Sequence, residues 1–231
     1  MILDIKSDFY NSIIYDDRYL YILEGVKNTI IMALFAVIIG ILLGLVIALI
    51  RNNYDNNKKL PILNQIAKLY VTIIRGTPVL LQLMIIYYII FATVDINIIL
   101  VGVIAFGLNS SAYVSEIIRA GISSIDKGQM DGGRALGLTY KETMRMIILP
   151  QAIKNVMPAL GNEFITLLKE TSVAGYIGII ELTKAGDIIS SRTYNYFFPL
   201  IITAIIYLIM TLGLSKIISK FEKRGVKNAW S

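Results

Sequence analysis

One carboxylate stands in the middle of an apolar stretch and is the strongest candidate for chemistry in this sequence. Glu163 comes twelve residues after Gln151, where an apolar helix is predicted to begin, which is ~18 Å at ~1.5 Å per residue. An acid at the middle of a ~30 Å apolar layer is costly and faces a cavity or a partner. We expect Glu163 to be the counter-charge for a cationic or amino-bearing solute. An ion pair with Lys169 or an interhelical hydrogen bond stays open as the alternative.

Polar side chains in two other apolar stretches fall at the same depth. Counted from the ends of the predicted helices, the middle of one stretch lies close to Tyr87 and the middle of the other close to Asn109. Each residue alone is explained by hydrogen bonding between helices, but together they form a polar layer that a simple membrane anchor does not need. The predicted substrate-binding layer consists of Tyr87, Asn109, Ser110, Asn162 and Glu163.

Two charged residues of opposite sign lie toward one end of these helices. Arg75 and Glu116 fall at similar depths on neighbouring predicted helices, so they could pair. Such a pair would be either a permanent structural contact or a gate that opens during a transport cycle. Both interpretations stay open at this stage.

Composition places the chain in a membrane and removes several kinds of chemistry. Of its 231 residues, 56% are hydrophobic and only 16% are charged, against about 25% in soluble domains. Cysteine and histidine are both absent, which removes disulfides, thiolate nucleophiles, Ser-His-Asp triads and the usual transition-metal ligands. The net charge of +6 fits basic cytoplasmic loops better than nucleic-acid binding.

The pattern of apolar runs predicts an all-α membrane protein with five transmembrane helices. Residues 1–24 read as an interfacial segment, and 25–231 as a single transmembrane domain. Loops at Arg51–Lys59 and 125–150 and the C-terminal tail are basic, so we expect them inside and the N-terminus outside. Residues 181–192 carry no charge bias, which suits an outside loop. The predicted spans are Thr29–Ile50, Val79–Val94, Ile98–Ser115, a helix from about Gln151, and Thr193–Ser215.

The polar loop 125–150 is predicted to form two short amphipathic helices. Gly137 ends the first helix and Pro150 stops the second, which begins at Tyr140. These helices are too short to cross a bilayer, but they can dock in the groove of a partner. Seven residues set the spacing of this loop, namely Asp131, Gly132, Gly133, Gly137, Ile147, Leu149 and Pro150.

That spacing resembles the EAA loop of ATP-binding-cassette importer permeases, which couples the permease to its ATPase. Asp131-Gly132-Gly133 replaces Glu-Ala-Ala, and each glycine weakens a helix by ~1 kcal/mol relative to alanine. Further stretches, across about residues 20–225, resemble the branch that imports polar amino acids. They are Arg75-Gly76-Thr77-Pro78 with Gln82, Phe106–Leu108 to Tyr113 and Glu116, and Gly161-Asn162-Glu163 to Thr171-Ser172.

The resemblance implies a permease subunit that is not itself an enzyme. It would carry a polar, preferentially basic amino acid (arginine, lysine or histidine) across a bacterial-type inner membrane. Its partners would be two ATPase subunits, a second copy of the permease and an extracytoplasmic solute-binding protein. No cofactor or metal is expected in this chain, and ATP and Mg²⁺ would lie on the ATPase. Leu138 stands where a Walker A motif needs lysine, which agrees with that division of labour.

Three alternatives remain open from the sequence. The substrate could be glutamine or another neutral polar amino acid, although Asn162-Glu163 looks like the carriers of basic amino acids. In another class, the chain could be an ion-coupled secondary transporter or a channel, since acids inside helices suit both. A scaffold without transport activity is the third alternative, and it has no use for Glu163.

Overall fold

Helices make up all the regular secondary structure that the described residues contain. This computed structural model describes residues 5–227, without the side chains of residues 5, 56, 57 and 221–227. Short π-helical or 3-10 turns extend several helices. The α-helices are α1 (Ile5–Phe9), α2 (Tyr19–Asn57), α3 (Pro61–Gly76), α4 (Val79–Ile85), α5 (Ile98–Ser123), α6 (Lys127–Ala135), α7 (Tyr140–Thr143), α8 (Leu149–Glu170), α9 (Leu182–Thr193) and α10 (Phe197–Lys227).

Three of these helices are long and apolar enough to cross a membrane, within residues 19–55, 98–123 and 197–220. The pair α3 and α4 adds a fourth candidate, bent by 111° at the break between them. Helix α8 carries the charged residues Lys154, Glu163, Lys169 and Glu170 and is not among the candidates. The all-α membrane fold is confirmed, while the count of five spans stays a prediction.

Close packing of α2 against α5 forms the centre of the molecule. A Cβ atom added to Gly40 would lie 2.7 Å from Ser110 Oγ, and one added to Gly44 would lie 2.7 Å from Val114 Cγ1. Only glycine therefore allows the two helices to approach this closely, as a Gly-x-x-x-Gly pair does between membrane helices. The buried core beside this contact includes Met32, Leu83, Phe106 and Leu167.

Two predicted loops are helical instead. Helix α2 runs through most of Arg51–Lys59 and ends where Lys58 adopts a left-handed conformation, with φ 55°. Arg51 and Asp55 bind side chains of α5, which holds these polar turns in the helix. The segment 181–192, predicted as an outside loop, is likewise mostly the helix α9, and its side of the membrane stays a prediction. Buried Glu181 caps α9 by accepting hydrogen bonds from the backbone N–H groups of Thr183 and Lys184.

The bend between α3 and α4 is held by side-chain hydrogen bonds, and α4 has no side-chain N-cap. Thr77 does not cap α4; its hydroxyl donates back to the carbonyl of Ile73 in α3. The side-chain amide of Gln82 donates to the carbonyls of Ile74 and Thr77, at 2.8 and 3.0 Å. One side chain thus satisfies carbonyl groups freed by the break, which a non-helical segment at membrane depth requires.

Candidate functional site

Ser110 and Glu163 are in direct contact between α5 and α8. The hydroxyl of Ser110 donates a hydrogen bond of 2.8 Å to the Glu163 carboxylate. Ser110 is fully buried against Gly40, whereas Glu163 is half-buried. Within the part of the chain that the structure describes, Glu163 forms no ion pair. Its carboxylate is therefore held in place while keeping capacity for a cationic partner.

Lys169 does not neutralise Glu163. It is exposed and lies six residues along α8, about 240° around the helix. Glu170 lies seven residues along, almost directly in line with Glu163. This face of α8 thus carries two carboxylates, about two helical turns apart, where a counter-charge for a cation is predicted.

Asn109 is buried in a contact with α4. Its side chain is buried, and its amide donates a hydrogen bond of 2.9 Å to Gln82 Oε1. Since Gln82 binds the broken end of α3, Asn109 fixes the bend between α3 and α4 against α5. Gln82 is recognisable in the sequence as a polar residue in an apolar run, but that pattern does not indicate which groups it binds.

Neither Tyr87 nor Asn162 takes part in the hydrogen bond of Ser110 with Glu163. Tyr87 lies edge-on to Tyr88, with ring centroids 4.8 Å apart, and packs against the buried core. Asn162 is exposed and precedes Glu163 in α8, so it points about 100° away from it. Of the five residues predicted to share a layer, the structure joins only Ser110 and Glu163 by a hydrogen bond.

Glu116 pairs with partners that we had not predicted. Arg51 of α2 and Arg119 of α5 both bind its carboxylate, and Arg119 also binds Asp55 at 2.9 Å. Glu116 therefore does not pair with Arg75 in this structure, which contradicts a permanent contact between them, and the gate stays a prediction. These four residues link the ends of α2 and α5 where the two helices reach the 125–150 loop.

Arg75 instead lies over the ring of Tyr113, with its guanidinium carbon 5.3 Å from the ring centroid. It is exposed near the end of α3. Among the residues that the structure describes, Arg75 has no acidic partner. The guanidinium thus has an aromatic contact and keeps its N–H donors available.

The first half of the 125–150 loop has well-defined ends. Asp126 caps α6 by accepting a hydrogen bond from the N–H of Gly128. At the other end, Gly137 adopts φ 87°, and the N–H of Leu138 bonds to the carbonyl of Gly133. This is a Schellman ending, which needs a left-handed residue at the position of Gly137.

The second half continues into α8 without stopping at Pro150. Thr139 and Glu142 form a capping box at the start of α7. The hydrogen bonds from the Thr139 backbone and side chain lower the pKa of the Glu142 carboxyl. A π-helical turn over Met144–Ile148 then leads into α8, where Pro150 stands in the first turn and tolerates the loss of its N–H donor.

The two glycines that replace alanines in this loop are not equivalent. A Cβ on Gly133 would lie 2.5 Å from the Cγ2 atom of buried Thr143, whereas a Cβ on Gly132 would meet nothing. Gly133 thus lets α6 pack on α7, and its effect is more than a weaker helix. On the outer side of this pair, Leu136 is 83% exposed and Met146 is 67% exposed. The loop thus presents apolar side chains on a rigid frame.

Comparison with known proteins identifies relatives along almost the whole chain. Residues 40–224 match the family of binding-protein-dependent transport system inner membrane components. A protein named as a glutamine transport system permease, GlnP, of Rickettsia typhi is 42% identical and covers 91% of this chain and 95% of its own length. The arginine transport system permease protein ArtQ of Bacillus subtilis is 41% identical, and the match covers 90% of this chain and 93% of ArtQ.

Solved structures agree in fold. A crystal structure of an amino acid ABC transporter with histidines contains a chain 46% identical to this one, with a TM-score of 0.82. The match covers 89% of this chain and 94% of that one. A structure of the methionine ABC transporter MetNI in an inward-facing conformation gives a TM-score of 0.77 at 17% identity. This match covers 91% of this chain and 98% of the other. The second likeness shows the fold alone.

Proposed function

We propose that this chain, which belongs to the family of binding-protein-dependent transport system inner membrane components and is the permease subunit of an amino acid ABC transporter, forms the translocation path for a basic amino acid. Arginine is the preferred substrate in this proposal. The family is not enzymatic, and ATP hydrolysis belongs to a separate chain. This removes the ion-coupled transporter, the channel and the scaffold as alternatives.

The contact of Ser110 with Glu163 carries this proposal. A half-buried carboxylate without an ionic partner binds a cation more favourably than a neutral group, because a charge-assisted hydrogen bond contributes ~1.5–3 kcal/mol. The side chains of arginine and lysine supply such a cation. Glu170 on the same face of α8 adds negative charge at the same surface.

The test compares Glu163→Gln with the unchanged protein in the complex with its ATPase and binding protein. The substitution keeps shape and polarity but removes the charge. We expect arginine-stimulated ATP hydrolysis to fall and glutamine-stimulated hydrolysis to stay the same. Asp187→Asn is the control, since Asp187 is an acid of α9 that pairs with Lys184 away from Glu163. Unchanged stimulation by arginine in Glu163→Gln would contradict the proposal.

Glutamine is the second candidate, favoured by the 42% identity to the Rickettsia typhi protein named for glutamine transport. Under this alternative, Glu163 accepts hydrogen bonds from a neutral side-chain amide while Ser110 holds it in position. The unchanged protein would then respond to glutamine more strongly than to arginine in the same assay.

The remaining parts of the machine follow from the same membership. We propose that two copies of this chain pair, with two ATPase subunits below them and a binding protein outside. The 125–150 loop would be the coupling loop, docking its apolar side chains Leu136 and Met146 in a cleft of the ATPase. The basic loop ends and tail would face the cytoplasm, with the N-terminus outside.

A further inference from the structure

We propose that Arg75 binds the α-carboxylate of the transported amino acid. This inference rests on the proposed function only in that it takes an amino acid as the substrate. It does not depend on which amino acid that is, because every candidate carries the same α-carboxylate.

The position of Arg75 relative to Glu163 is the first support. Tyr113, on which Arg75 stacks, follows Ser110 by three residues on α5. The two therefore lie on one face of the helix, ~4.5 Å apart along its axis. Ser110 binds Glu163 and Tyr113 contacts Arg75, so the α5 residues that meet the two charged side chains are about one helical turn apart. A positive and a negative group are thus offset along one path, which matches the two charged ends of an amino acid.

The chemistry of Arg75 is the second support. Its guanidinium lies over the Tyr113 ring and forms no hydrogen bond or ion pair with any side chain or backbone group in the described range 5–227. Its N–H donors are therefore open to a ligand. That arrangement suits two parallel hydrogen bonds to a carboxylate, which a lysine in the same place would not provide.

The distribution of polar and apolar residues around α3 also supports this role of Arg75. One face of α3 packs against α5. On this face the hydroxyl of Tyr70 donates to the carbonyl of Leu108 at 2.8 Å, and Ala67 and Val71 are buried beside it. A second face is apolar and exposed, as expected for contact with lipid. It carries Ile62, Ile66, Leu69 and Ile73.

The third face of α3 is polar and exposed, and its residue Arg75 lies one turn beyond buried Val71, from where it reaches Tyr113 of α5. A charged face cannot lie against lipid, so it must line a water-filled space or a polar neighbour. Arg75 therefore lies in polar surroundings and not against lipid. The polar face carries Gln65, Lys68, Thr72 and Arg75.

The experiment measures the binding of two ligands that differ only at the α-carboxyl group. Radiolabelled arginine and argininamide are bound to the purified permease–ATPase complex without the binding protein, so that only this site is read. We expect Arg75→Gln to weaken arginine ~10–100-fold while argininamide changes little, so that the preference for the free acid disappears. Arg75→Lys keeps the charge and should retain part of that preference.

Lys68→Gln is the matched control, since it removes a positive charge from the same face of α3 seven residues away. It should leave both affinities unchanged. Equal weakening of arginine and argininamide by Arg75→Gln would overturn the inference, and so would no change in either, as expected if Arg75 held a lipid phosphate group or only stiffened α3.

Glutamine and glutaminamide provide an arm that separates this inference from the proposed substrate class. If the protein carries glutamine and Glu163→Gln has no effect on it, the basic specificity fails. The preference for glutamine over glutaminamide should still disappear in Arg75→Gln. If Glu163→Gln weakens arginine but Arg75→Gln spares the preference for the free acid, the basic specificity stands and the role of Arg75 falls.

Discussion

At the scale of single residues, the site depends on side chains that satisfy backbone groups as much as on those that meet substrate. Gln82 uses its amide nitrogen for the broken end of α3 and its oxygen for Asn109. Because both ends of this amide are occupied, the bend between α3 and α4 is tied to the helix that carries Ser110. The position of Ser110 against Glu163 is therefore linked to a residue that touches neither.

We expect Gln82→Leu to destabilise the protein by about 1–3 kcal/mol, because it leaves the buried amide of Asn109 and the carbonyls of Ile74 and Thr77 without their partner. The unfolding temperature of the purified protein in detergent gives the measurement. Gln65→Leu makes the same change on the exposed face of α3 and should have little effect. Equal unfolding temperatures for the two variants would show that Gln82 does not hold the bend.

Ser110 and Glu163 could be matched from sequence because depth along an apolar helix can be counted from its ends. Rotation of one helix relative to another cannot be counted in this way, so depth alone does not show that the side chain of Asn109 binds Gln82. The partner of Glu116 was missed for a related reason. We had ended the first helix near Ile50, and Arg51 and Asp55 were therefore assigned to a loop.

At the scale of elements, a glycine at a turn predicts a helix boundary better than a proline or a balance of charges does. Gly137 was expected to end α6, and it does so with a positive φ. Pro150 was expected to stop a helix, yet the chain continues, because a π-helical turn before it accommodates the missing N–H. The equal numbers of acidic and basic residues in 181–192 predict a loop, but the segment forms α9, which Glu181 caps.

Gly137 tests whether the 125–150 loop must keep its turn to drive the machine. Gly137→Leu forces a branched side chain into φ 87°, at a cost of about 1–3 kcal/mol, and should deform the ending of α6. We expect the folded variant to bind or stimulate the ATPase poorly. Gly132→Ala is the control in the same helix, because its Cβ meets open space and alanine favours helix. Normal stimulation in a well-folded Gly137→Leu protein would contradict a coupling role for the loop.

At the scale of the whole molecule, a rigid pair of helices joins the candidate site to the loop. Gly40 and Gly44 bring α2 onto α5 beside Ser110, and the pairs of Arg51, Asp55, Glu116 and Arg119 hold the same two helices near the loop. A displacement of the loop would therefore be transmitted to one wall of the site. The opposite wall, carried by α8, joins the other end of the same loop.

The proposed orientation predicts which ends of the molecule are accessible from each side. The chain contains no cysteine, so single cysteines report position directly. Lys59→Cys and Tyr194→Cys place them at exposed residues in connections at opposite ends of the long helices. An impermeant thiol reagent applied to intact cells should label Tyr194→Cys and spare Lys59→Cys until the membrane is opened. The reverse pattern would place the N-terminus inside.

The central claim is that Glu163 meets the cationic group of the transported amino acid. A structure of the assembled transporter with arginine bound in the permease tests it most directly. The account predicts the guanidinium of arginine within hydrogen-bond distance of the Glu163 carboxylate, about 2.7–2.9 Å, with Ser110 still donating to the same group. Arginine bound elsewhere in the path, or a site that accepts glutamine and leaves arginine out, would contradict it.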